Sequence, residues 1–182
     1  MKTLLIQKVL DQQGIKAADL SAVSVSAGPG SYTGLRIGVS TAKGLCYALN
    51  IPLIAIDALY NLAVLAKETH PDTTICAMID ARRMEVFSSI YRPDLTLSKP
   101  VSADILDENA YREFEPFIAV GDGSYKMQEI WKNRKIIVDT AIKSSAAGHV
   151  IPAYEKFRNH QLEDVAYFEP FYLKDFVGTS KK

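Results

Sequence analysis

A chain of 182 residues, 48 % of them hydrophobic, can bury one sizeable core or two small ones. Lys and Arg total 21, as do Asp and Glu, so the formal net charge is +0 and no global positive field exists to hold a polyanion, which argues against tight RNA binding by this chain alone. Cys46 and Cys76 stand far apart in apolar segments and in no C-x-x-C pair, no signal-peptide pattern opens the chain, and no apolar run approaches the about 18 residues that span a bilayer. The expectation is a cytoplasmic protein with two buried free thiols and no membrane contact.

The spacing of Leu5, Ile6, Val9 and Leu10 predicts an amphipathic opening helix over Thr3 to Gln13, stopped at Gly14. Val23 to Ala27 reads as a buried strand. A glycine-rich turn follows, then a helix from about Gly34 to Leu49, a short strand over Ile51 to Ile56, and a helix over Ala58 to Lys67 that Asp57 caps. His70-Pro71-Asp72 breaks this pattern and divides the chain into residues 1–69 and 70–182. In the second unit, Thr74 to Ile79 and Glu85 to Tyr91 are strands joined by a turn over Asp80 to Met84. Helical spacing predicts helices over Asp104 to Phe114, Tyr125 to Asn133 and Lys143 to Asn159. Strands are expected at Phe117 to Val120 and Lys135 to Val138. Phe168 to Leu173 is a last extended segment, interrupted by Pro170 and expected to pack back toward the first unit. Gly178 to Lys182 is a polar tail.

The densest signal is Gly28-Pro29-Gly30-Ser31-Tyr32-Thr33-Gly34. Two readings of it stand open. Backbone N–H groups at the start of a helix attract anions, which makes Gly28, Gly30, Ser31 and Thr33 candidate phosphate contacts. Alternatively, the glycines serve a tight strand-to-helix turn, and the missing P-loop lysine and G-x-G-x-x-G order favour this reading. In the helix that follows, Leu35, Val39, Ala42, Cys46 and Leu49 form one apolar stripe, and Ile37, Thr41, Leu45 and Ala48 form another. A helix apolar on two sides needs two surfaces to bury against. One is its own sheet; the other is either a partner or the opening helix. Gly34, Gly38 and Gly44 each cost about 1 kcal/mol relative to Ala in a helix interior, which makes sense if they permit close backbone approach.

As a whole string, Gly28 to Gly38 resembles the signature of the TsaB (YeaZ) family, a bacterial subunit of the tRNA threonylcarbamoyladenosine machinery. Ala42-Lys43-Gly44-Leu45, Ile79-Asp80-Ala81-Arg82 with Glu85-Val86-Phe87, Val120-Gly121-Asp122-Gly123 and Glu169 to Lys174 resemble later landmarks of that family in the same order. The resemblance implies an α/β, two-lobed fold of the actin-like, RNase H-like ATPase superfold. Members of the family begin with three antiparallel strands before the opening helix. Their lack here implies a first lobe that is incomplete at its N-terminus, either through truncation or because a partner supplies the missing sheet.

Function follows the same resemblance. It implies a non-catalytic scaffold that binds TsaD, the catalytic subunit, in a complex that also holds the TsaE ATPase. It further implies a homodimer, contact with tRNA only within the complex, and ATP and a metal ion that belong to the complex, none being bound by this chain alone. The interface implied comprises Leu5 and Val9 of the opening helix with Gly34, Ile37, Gly38, Thr41, Gly44 and Leu45 of the next. No metal site is expected from His70, His149 and His160, which lie at no ligand spacing. Asp80 and Arg82 are read either as a carboxylate and a guanidinium fork at the cleft between lobes or as a bond within the turn. The rival function is a nucleotide-dependent kinase or phosphotransferase that uses Gly28 to Thr33 as a phosphate cradle.

Overall fold

A computed structural model describes residues 2–174, with the side chains of Lys2 and Thr3 left aside. The expected polar tail, Gly178 to Lys182, lies outside the described residues. Two sheets organise the chain. β1 (Val23–Gly28) and β2 (Leu53–Asp57) pair in parallel. β3 (Thr74–Asp80), β4 (Glu85–Tyr91), β5 (Leu97–Ile105), β6 (Phe117–Val120) and β7 (Ile136–Asp139) form a five-stranded sheet in the order β5-β4-β3-β6-β7. The β3–β4 and β4–β5 pairs are antiparallel, and β6 and β7 extend the sheet in parallel from β3.

The described helices are α1 (Lys2–Gln13), α2 (Tyr32–Leu49), α3 (Ala58–Thr69) and α4 (Val150–Arg158), of which α2, α3 and α4 pack on the sheets. Ser31 caps α2 by accepting from the Gly34 N–H at 3.3 Å, and Asn50 ends it in the left-handed conformation. Asp57 caps α3, its Oδ1 accepting from the N–H groups of Leu59 and Tyr60 at 2.8 and 2.7 Å. The buried stripe of α2 is Leu35, Val39, Ala42 and Cys46, four of the five residues that helical spacing assigns to its first apolar face. On β3 the period of two is visible in the packing. Ile75 and Ala77 face α3 with Leu59, Leu62 and Ala63, while Cys76 and Met78 face the opposite core, which is built around Phe117, Met127 and Trp131.

Several expectations are corrected. Asp104 to Phe114 is no helix: its start belongs to β5, which the sequence reading did not assign, and only Arg112–Phe114 makes a 3-10 turn. The polar inward residues of β5 are satisfied by a network rather than by apolar contact. Asp104 accepts from Ser88, Lys99 and Tyr111 at 2.6, 2.8 and 2.7 Å, and periodicity cannot register such a face. Tyr125 to Asn133 is a 3-10 turn over Ser124–Met127 followed by further turns, drawn in by the buried Trp131 ring, whose indole N–H donates to the Asp107 carbonyl at 3.1 Å. Lys143 to Asn159 is helical only over Val150–Arg158, after a 3-10 turn at Ala146–His149, because the Ser144 hydroxyl and the Ser145 N–H donate to the buried side chain of Asn61 instead of continuing a helix.

The last segment, Phe168 to Leu173, forms no strand. Pro170 has no N–H to give, and the backbone tie at this point is Phe171 N–H to the Ala27 carbonyl at 2.7 Å. The segment nevertheless packs on β1, β2 and α2. Glu163 donates its N–H to Leu53, the Lys43 ammonium holds the carbonyls of Ala166 and Phe168 at 3.0 Å each, and Val165 and Phe168 pack against Ala42, Cys46 and Leu53.

Candidate functional site: the glycine-loop cleft and the outer helix face

A cleft of about 430 Å³ opens beside β1. Val25, Ser26, Pro29, Gly30 and Ser31 line it from the strand and the glycine turn, and Gly34, Leu35 and Gly38 line it from α2. Its far wall is Ala58 and Leu62 of α3, Ile79 of β3, and Asp122, Lys143 and Ser144. The cleft therefore lies between the two sheets, where the glycine turn meets the second one. Gly28 is fixed by geometry: its φ is +102°, and a Cβ there would stand 2.6 Å from the Phe171 carbonyl oxygen. Gly30, by contrast, has open space around it and borders the cleft. Thr33 is exposed on the first turn of α2 and does not line the cleft.

β1 contributes an open edge. The Val23 N–H donates to Pro52 at 3.0 Å, and in a parallel ladder alternate residues turn both backbone groups to the same neighbour. Val23 and Val25 thus face β2. The N–H and C=O of Ser24 and Ser26 face the other side, where no strand among the described residues pairs with them.

At the β3–β4 turn, Asp80 Oδ1 accepts from the Arg82 N–H at 2.6 Å and from the Lys126 ammonium at 2.5 Å, while the Asp80 N–H donates to Asp122 Oδ1 at 2.9 Å. Partial burial works against the charged Asp80 carboxylate, but the Lys126 ammonium and the Arg82 N–H outweigh it and hold its pKa below the usual range. The Asp80 carboxylate is thereby engaged by the Arg82 N–H of its own turn and by Lys126. Arg82 has φ 74° and Arg83 φ 49°, and both side chains are exposed. Lys143 and Ser144 are the cleft residues that sequence reading missed. They lie more than a hundred positions from the glycine turn, and no local pattern marks them.

The residues of the expected interface divide. Gly34 and Gly38 turn toward the cleft, Thr41 and Leu45 are half-buried, and Ile37 and Gly44 are exposed. Ile37 is 46 % exposed, and on α1 Leu4, Leu5 and Val9 are 73, 57 and 56 % exposed, so the opening helix leaves its own apolar residues, and Ile37, uncovered. Among the described residues no group of three or more His, Cys, Asp or Glu side chains is placed to hold a metal ion, and no helix is long and apolar enough to cross a membrane. Cys46 and Cys76 are buried free thiols, and burial pushes both thiol pKa values up.

Comparison with known proteins bears on this geometry. A family model described as TsaD, tRNA N6-adenosine threonylcarbamoyltransferase, matches residues 3–177. The tRNA threonylcarbamoyladenosine biosynthesis protein TsaB of Escherichia coli (strain K12) is 27 % identical over 186 residues, covering 97 % of this chain and 80 % of that protein. TsaB of Bacillus subtilis (strain 168) is 41 % identical over 87 residues, or 48 % of this chain and 37 % of that protein. Among solved structures, YeaZ from Pseudomonas aeruginosa superimposes with a TM-score of 0.79 at 24 % identity, covering 92 % of this chain and 80 % of that one. The likeness shows the fold, a mixed α/β architecture of the actin-like, RNase H-like ATPase type.

Proposed function

The chain belongs to the tRNA N6-adenosine threonylcarbamoyltransferase (TsaD) family, among its TsaB/YeaZ members, and within the biosynthesis of tRNA threonylcarbamoyladenosine we propose that it is a non-catalytic scaffold that docks a TsaD-type catalytic subunit. The observation that carries this reading is the uncovered apolar surface of α1 and α2. Leu5, Val9 and Ile37 are each about half exposed or more, and Gly44, two turns along α2 from Ile37 on the same face, leaves room for a helix backbone to approach. Burying an aliphatic side chain of this kind contributes about 1.5–3 kcal/mol when complete, and such residues together offset part of the cost of association. The cleft supports the non-catalytic part. Among the described residues that line it, Lys143 and Asp122 are the charged ones, so the cleft offers a single carboxylate, with Oδ1 accepting the Asp80 N–H, rather than the pair that the kinase reading would use to hold a magnesium nucleotide.

In this proposal the chain works in the cytoplasm, and a TsaE-type ATPase, ATP, a metal ion and tRNA are met only in the assembled complex. The test is light scattering coupled to size exclusion on the chain mixed with a TsaD-type subunit from the same source. A stable complex that Ile37→Asp plus Leu45→Asp abolishes is the expected result; an undiminished complex with that variant overturns the docking surface. Calorimetric titration with ATP and Mg²⁺ addresses the kinase alternative, which the cleft volume alone favours. Micromolar binding by the isolated chain would support it.

A further inference from the structure

The turn between β3 and β4 presents two arginines in succession. Arg82 and Arg83 take φ of 74° and 49°, a left-handed backbone that glycine, asparagine or aspartate ordinarily supplies at less cost. The turn is nevertheless held firmly. The Ala81 N–H donates to the Glu85 carbonyl and the Glu85 N–H to the Arg82 carbonyl, each at 3.1 Å. The Lys126 side chain, only 5 % exposed, donates to Asp80 Oδ1 at 2.5 Å and to the Glu85 carbonyl at 2.7 Å. A conformation that arginine disfavours, fixed from several sides, points to a use for the side chains it displays.

The carboxylates around the turn are engaged elsewhere. Lys126 and the Arg82 N–H hold Asp80, Lys174 pairs with Glu85, and Asp122 Oδ1 accepts the Asp80 N–H. Among the described residues no carboxylate forms an ion pair with the Arg82 or Arg83 guanidinium, and both residues are exposed. An aromatic side chain stands nearby. A Cβ on Gly123 would meet Val86 Cγ1 at 2.9 Å and the Asp80 nitrogen at 3.2 Å, so the 3-10 turn Ser124–Met127 starts against the base of the hairpin. Within that turn Lys126 reaches into the hairpin, and its neighbour Tyr125 is 56 % exposed. Neither arginine lines the cleft, but Ile79 and Asp122, next to them, form its wall opposite Gly34 and Gly38 of α2. The two arginines therefore stay open when a partner covers the outer face of α1 and α2.

Chemistry selects the ligand. Two guanidinium forks fit phosphate oxygens, and an exposed phenol ring offers its face to an unstacked base. A looped or single strand of RNA supplies both at successive nucleotides, whereas an acidic peptide supplies the anions and no base. A formal net charge of +0 gives the chain no general attraction for RNA, so any contact has to be local. Two arginines without carboxylate partners meet that requirement.

We infer that the β3–β4 turn is an RNA-contact site, at which Arg82 and Arg83 hold backbone phosphates of tRNA and Tyr125 stacks on an unpaired base; the choice of tRNA rests on the function proposed above. Two phosphate contacts position a strand and add to the affinity of the assembled complex. The experiment is a fluorescence anisotropy titration of labelled tRNA with the complex of this chain and a TsaD-type subunit, repeated over a range of salt concentrations. It compares wild type, Arg82→Gln plus Arg83→Gln, Arg82→Lys plus Arg83→Lys, and Tyr125→Ala. Circular dichroism and size exclusion verify that each variant folds and joins the complex. The Gln variant is expected to weaken binding about tenfold and to reduce the slope of log K against log salt by about 1.4, the counterion release of two phosphates on a single strand, while the Lys variant keeps the slope. Tyr125→Ala should weaken binding about tenfold with the slope unchanged, and no effect there overturns the stacking contact. Unchanged affinity and slope in the Gln variant overturn the inference. So does a Gln variant that folds but no longer joins the complex, which would assign the arginines to an acidic segment of the catalytic subunit. If wild type itself forms no complex, the scaffold reading fails separately, and titration of the chain alone at low salt decides the site. Weak tRNA binding that the Gln variant loses supports it; equal binding, or none, overturns it.

Discussion

The Ser24 hydroxyl lies 2.8 Å from Nδ1 of His149 and ties β1 to the turn that opens α4. The ring is partly buried, and desolvation lowers the His149 pKa below its ordinary 6.5. The folded chain therefore holds His149 neutral where the unfolded chain would protonate it. The stability this contributes is present above about pH 6.5 and is lost as pH falls through the folded value, with a limiting slope of about 1.4 kcal/mol per pH unit for one proton. Urea midpoints measured from pH 7.5 to 5 should decline in wild type and flatten in His149→Gln, which keeps a hydrogen-bonding group and loses the titration. Equal slopes in the two proteins would remove His149 from the account.

A second prediction concerns the polar network under β5. Asp104 accepts from Ser88, Ser102, Tyr111 and Lys99, and these bonds overcome burial and keep its carboxyl pKa below the ordinary value. Removing the carboxylate leaves Lys99, whose side chain is 18 % exposed, without its counter-charge. Asp104→Ala should cost about 3 kcal/mol of unfolding free energy. Lys99→Met together with Asp104→Leu should cost markedly less, because no unpaired charge remains. A chevron or equilibrium denaturation series on the three proteins decides it.

The open edge of β1 gives a third. The Val25 N–H points to β2 and should exchange slowly with deuterium, whereas the Ser24 and Ser26 amides, pointing away, should exchange faster by orders of magnitude. Residue-resolved hydrogen exchange on the isolated chain reads this directly. Uniform protection along Val23 to Ser26 would mean that something pairs with that edge in solution.

How far the sequence led depends on the range of the interactions. The buried stripe of α2 and the cap at Asp57 are written in spacing and in single residues, and they were legible. β5 was not, because its pairing with β4 buries Lys99 and Asp104 against each other rather than an alternating apolar face. Asn61 shows the same limit. It sits in an apolar helical run, and nothing local says that its amide would organise Ser144 and Ser145 from more than eighty residues away. The cleft was legible from one side only: Gly28 to Ser31 announce it, while Lys143 reaches it through tertiary packing.

Gly44 separates folding from docking. It lies in the interior of α2, its φ is not positive, and a Cβ there would meet nothing within 4 Å. For the isolated chain, Gly44→Ala removes backbone freedom from the unfolded state and should stabilise by about 1 kcal/mol. If the outer face of α2 receives a partner helix, the same methyl occupies the space through which the two backbones approach, so affinity for the TsaD-type subunit should fall. Thermal unfolding and a binding titration on one preparation give both numbers. A rise in melting temperature with affinity unchanged would show that the glycine is merely tolerated and would move the docking surface away from Gly44. A rise accompanied by a loss of affinity would show that the helix gives up stability of its own for close approach by another chain.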